Sequence, residues 1–205
     1  MKKYLFLVVL LNYFNVNVLS AQDTLKVSPP NYFDSISQFF NEPIEFEITT
    51  PSDYSSKNYM KGFGKKVLQL ETTDFFDNFS WRDKNFNPTN KIEPGKTYCV
   101  RFFKIKPLEV KSEDCLYFLE NQPNVFLTGM QGLALAYDLE KVQFPEGMII
   151  SFDHKKSLMK TFDDCHAVPI IQHWKSDEGF SSWSFQAVYF EMKCQADYLI
   201  CFFEK

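Results

Sequence analysis

Residues Thr97 to Lys106 read TYCVRFFKIK, a β-branched and aromatic run in which both faces are largely apolar. A strand of this kind is stable only where neighbours cover both sides, so it belongs in the middle of a sheet. The rest of the chain must supply that cover. The 23 phenylalanines provide the means, because a side chain with no polar handle goes to the core.

Several other segments read as strands. Ile44 to Thr50 alternates apolar with polar and suits a half-buried strand. Val67, Leu68 and Leu70 suggest another, and Val125 to Thr128 a short one. Met148 to Phe152 and Val168 to Trp174 follow, with turns at Phe144-Pro145-Glu146-Gly147 and at Lys175 to Gly179. Phe180 to Cys194 and Tyr198 to Phe203 read as a closing hairpin around Ala196-Asp197.

Helical patterns are fewer. The clearest spans about 113–122: Ser112 stands as N-cap, and Glu113 and Asp114 favour the positive helix end. Cys115, Phe118 and Leu119 line one face, and Pro123 ends it. Phe33, Ile36, Phe39 and Phe40 have helical spacing, predicting a short N-terminal helix over about 32–41 that stops before Pro43. Leu133 to Leu139 fits helix or strand equally, and Ser157 to Phe162 suggests one helical turn. Strands outnumber helices without regular alternation, which predicts an α+β fold on a mainly antiparallel sheet.

Residues 1–21 stand apart from this pattern. Met1-Lys2-Lys3 is a basic start, Tyr4 to Leu11 is apolar, Asn12, Asn15 and Asn17 interrupt the run, and Ser20-Ala21 are small. That is the layout of a secretory signal peptide, and the asparagines spoil a membrane span. The first cysteine is Cys99, so no lipid-anchored exit is expected. The expectation is an exported protein, periplasmic or extracellular and bacterial in style, with no stable membrane insertion after cleavage. Residues 22–95 form an N-terminal portion with loops and two strands, and 96–205 the main α+β domain. The two portions are compatible with a single domain.

Charge and glycine restrict function. The first 21 residues hold two lysines and no acid, so the remainder carries 20 bases against 26 acids. That balance argues against nucleic acid, whose phosphates reward clustered Lys and Arg. The seven glycines are scattered. None makes a phosphate-cradling loop, and Gly62-Phe63-Gly64 lacks the third glycine of a dinucleotide fingerprint. No cofactor is predicted.

The five cysteines show no C-x-x-C pair. Cys194 and Cys201 are out of register for a directly opposed pair across the expected two-residue turn. Most of the cysteines lie in apolar runs and read as small buried hydrophobes. Cys165 differs, because Phe162-Asp163-Asp164-Cys165-His166 is a polar connection and all three histidines lie between 154 and 173. A nucleophilic thiol needs a base and an orienting group, so Cys165, His166, His173 and Asp163 are the catalytic candidates. His154, Asp164, His166 and His173 are the candidate ligands for a divalent metal. Their spacing fits no established metal signature. Trp174 and Trp183 flank a polar turn and are candidates for stacking on sugar rings. The absence of a catalytic signature favours a non-enzymatic role in contact with a protein or envelope component, in the manner of an inhibitor or immunity protein. A metal-binding protein or hydrolase centred on 153–173 and a carbohydrate-binding module are the alternatives.

Overall fold

Thr97–Lys104 (β2) is an interior strand, paired on one edge with Ile44–Thr49 (β1) and on the other with Tyr198–Glu204 (β8). The structure is a computed structural model that describes residues 32–56, 58–59, 89–106, 110–138, 142–160, 164–178, 181–194 and 196–205. Ser35–Lys205 make one compact unit, and the first described helix is Tyr32–Ser37 (α1). The remaining elements are Ser112–Glu120 (α2), Val125–Phe126 (β3), Gly129–Asp138 (α3), Gly147–Ser151 (β4), Met159–Lys160 (β5), His166–Lys175 (β6) and Ser181–Tyr189 (β7).

Among the described residues the eight strands form one sheet, mixed with helices and mostly antiparallel. The single parallel pairing joins β4 to β8. β8 takes β2 along one edge, and β4 and then β3 along the other. β6 takes β7 along one edge, and β4 and β5 along the other. The main path is therefore β1-β2-β8-β4-β6-β7, with β3 and β5 as short additions in line with β4.

Register sorts the side chains between two faces. Val100, Phe202, Ile149, Ile171 and Phe185 point to one face and are all buried. α3 packs there and contributes Leu133, Ala134, Leu135 and Ala136 to the same core. Gly132 permits this close approach, since a Cβ at that position would sit 2.7 Å from the Phe202 ring. The opposite face carries Phe103, Leu199, Cys201, Ile150 and Ile170. α2 covers its Phe103 end: the Phe118 ring stacks on Phe40 at 4.0 Å and meets Phe103 edge-on at 5.1 Å.

The structure redraws four expectations. α1 ends at Ser37, because Phe40 leaves the helix to pair with Ile105. Ser112 is the first helical residue rather than the cap; Lys111 occupies that position, and the Ser112 hydroxyl donates to the Met192 carbonyl at 3.0 Å. Where one helical turn is expected over 157–162, a 3-10 turn at Lys155–Ser157 leads directly into β5. No hairpin forms around Ala196-Asp197. The Asp197 carboxylate accepts the Met148 N–H at 2.8 Å, and the Asp197 N–H donates to the Met148 carbonyl at 2.7 Å. That double anchor ties the start of β8 to β4, while β7 pairs with β6. Leu133 to Asp138 of the ambiguous run lie in α3, and Leu139 lies outside the described residues. The expected leader and the strand at Val67, Leu68 and Leu70 lie outside the described residues.

Candidate functional site

β6 separates the histidines by simple parity. His166 and His173 are seven positions apart on one strand, so their side chains leave opposite faces. The His173 ring is buried and lies flat on Trp183 at 3.9 Å, with Nδ1 donating to the Pro145 carbonyl at 3.2 Å. His166 Nδ1 sits 2.7 Å from a Glu191 carboxylate oxygen, and its backbone N–H also donates to that carboxylate. Desolvation pushes the Glu191 carboxyl up, but the His166 hydrogen bonds together hold it below its ordinary range. His154, in the connection after β4, pairs instead with Glu120 at the end of α2, at 3.1 Å.

Each histidine thus has its own partner in a different place. Asp164 is exposed and takes a positive φ of 62°, and Cys165 beside it is half-buried. Asp163 lies outside the described residues. Among the described residues no group of three His, Cys, Asp or Glu converges as a metal cluster would. The tryptophans divide in the same way. Trp183 stands opposite His173 in the register and Trp174 opposite Ser182, so the two indoles lie on opposite faces. Trp183 packs edge-on against Tyr137 and Phe144, while Trp174 is 42% exposed. They do not form one stacking platform.

A concave site lies elsewhere, on the part of the sheet that α2 leaves open. Two cross-strand rows build its floor. Glu45 and Arg101 form one, and Glu47, Cys99 and Phe203 the other. Pro123 and Asn124, from the turn between α2 and β3, wall one side of a groove of about 480 Å³. The Arg101 guanidinium lies over the Phe203 ring at 4.2 Å, and its Nε is 2.6 Å from Glu45. Lys205 pairs with Glu47, and Lys96 with Glu204 at 2.7 Å.

The chemistry of this groove suits recognition better than bond-making. Burial first, and the Glu45 charge second, push the Cys99 thiol above its ordinary value, so it is a poor thiolate. The lining offers a planar cation, an ammonium, three carboxylates and two aromatic rings, and the cations are already matched to acids. Glu45, Glu47, Cys99 and Arg101 were not among the sequence-based candidates. Their one sequence signal is Arg101, a lone guanidinium in the centre of TYCVRFFKIK. A charge inside such a strand needs a reason, and here the reason is an open face. No family model, no curated protein and no solved structure matches the chain.

Proposed function

We propose that this chain is an exported binding protein that engages another protein or an envelope component through the groove between β1, β2 and the turn before β3. The observation that carries the reading is the groove itself, a concavity of about 480 Å³ on the sheet, with Arg101 laid across Phe203. The partner presents a basic segment. Glu45 and Glu47 stand on the edge of β1, and acids exceed bases in the chain, 26 to 22. Exposed ion pairs are worth about 0–1 kcal/mol each. A partner cation therefore displaces Lys205 from Glu47 at little cost, while Phe203 supplies the apolar contact. Charge complementarity of this kind acts chiefly on the association rate.

The test immobilises residues 22–205 and passes over them the exported protein fraction of the source cells. Any bound species is then measured against wild type and the double variant Glu45→Lys/Glu47→Lys. The expected result is an association rate that falls about tenfold or more between 50 and 500 mM NaCl, and loss of binding in the variant with its unfolding midpoint unchanged. A bound species that the variant retains, or a rate indifferent to salt, would overturn the assignment of the groove.

A further inference from the structure

We propose that Cys115 and Cys194 form a disulfide that ties α2 to the segment joining β7 to β8. Three backbone features bring them together. Lys111 and Lys193 make an isolated antiparallel bridge, the Cys194 N–H donates to the Val110 carbonyl at 2.8 Å, and the Ser112 hydroxyl donates to the Met192 carbonyl at 3.0 Å. Cys115 lies one turn along α2 from Lys111, its N–H donating to the Lys111 carbonyl at 3.1 Å, and like Cys194 it is buried while both lysines of the bridge are exposed. Both residues are buried, and their thiols hydrogen-bond to one another. Residues 192–194 are held to the start of α2 before any covalent bond exists, so closing it requires little rearrangement of the backbone.

Cys99 and Cys201 are not placed to form a disulfide with one another. Cys99 and Cys201 are diagonal neighbours on β2 and β8, a relation that puts Cα atoms about 7–8 Å apart, beyond the usual disulfide span. Burial pushes the Cys201 thiol up to about 12, which makes it inert to exchange. Cys194 and Cys201 do not share a hairpin, since β8 pairs with β2 and β4. In the buried pair, the hydrogen bond to Cys194 and then burial hold Cys115 protonated, while Cys194 is eased toward the thiolate by the same hydrogen bond.

The step needs a disulfide oxidant. The thiolate of one cysteine of the pair attacks one sulfur of that disulfide, releasing a thiolate and forming a mixed disulfide. The sulfur of the other cysteine, giving up its proton, then attacks the first and expels the second thiol. Two cysteines lose two electrons and two protons, and one disulfide becomes two thiols. In the cell, the supply of such an oxidant rests on the export reading; the experiment below does not.

The reduced chain is refolded in a buffer of oxidised and reduced glutathione, blocked with an alkylating reagent in denaturant, and digested without reduction. Mass spectrometry should find a Cys115–Cys194 crosslinked peptide and alkylated Cys99, Cys165 and Cys201. The bond closes a loop of about 80 residues, so the oxidised form should unfold roughly 10 °C above the reduced form. Cys115→Ala/Cys194→Ala should abolish the difference made by reductant. Five alkylated cysteines, or a crosslink between any other pair, would overturn the proposal, and the peptide map on wild type decides this even if the variant fails to fold.

Discussion

Asp153 shows how one residue couples the fold to pH. Its side chain is buried and accepts the His154 N–H at 2.7 Å and the Thr89 N–H at 3.3 Å. Burial nevertheless dominates and holds its carboxyl above the ordinary value of 3.8, with the Thr89 and His154 bonds pulling the other way. An acid raised in the folded state binds its proton more tightly there than in the unfolded chain. Its contribution to stability is then full below the unfolded value and is lost as pH rises through the folded one. Asp153→Asn removes that dependence while keeping a carbonyl acceptor. Relative to wild type, the variant should gain stability as pH rises from about 3 toward 7. Urea unfolding at several pH values reads this, and parallel profiles for the two proteins would refute it. At this same scale the sequence was least informative about function. The histidines cluster in sequence between 154 and 173, but strand parity and separate glutamate partners keep them apart. Arg101 is a lone guanidinium in a largely apolar strand, a signal that the sequence reading left unused. That Glu45 would stand beside it depends on register across about 50 residues of chain, which no local pattern encodes.

Elements were legible where burial is one-sided or total on a strand, and obscure where it is total on a helix. β1 alternates and β2 is apolar on both faces, so both were recognisable from pattern alone. α3 has eight buried positions out of ten, leaving no polar stripe to set a helical period. The hairpin expected around Asp197 failed for a different reason: two neighbouring apolar runs look like partners, but β7 pairs with the strand before it, β6, and β8 with the distant β2 and β4. α3 also offers a sharp test of its own packing. A Cβ at Gly132 would collide with the Thr128 hydroxyl and stand 2.7 Å from Phe202, a ring that is itself fully buried. Neither neighbour has room to retreat between helix and sheet. Gly132→Ala should cost about 1–3 kcal/mol, although alanine is the better helix former by about 1 kcal/mol. Chemical denaturation measures it, and a neutral or stabilising result would mean that α3 lies farther from β8 than described.

The whole molecule depends on β8. It joins β2 on one edge to β4 and β3 on the other, and its partner residues on β2 lie about 100 positions earlier in the chain. Without it, β1 and β2 would be separated from β4, β6 and β7, and each group would expose one side of its apolar face. Folding must therefore close a very long loop before the central pairing yields anything, which places refolding in the range of about milliseconds to seconds rather than microseconds. Phe202 sits where this closure is completed, buried between Val100, Phe126 and α3. Phe202→Ala should cost about 3–5 kcal/mol by cavity formation. Since the β2–β8 pairing is the long-range step, we expect a substantial part of that loss in the folding rate as well as in unfolding. Stopped-flow refolding across a denaturant series separates the two. A refolding limb that Phe202→Ala leaves unmoved, with the entire loss in the unfolding limb, would show that β8 docks after the transition state and that the two halves of the sheet organise without it.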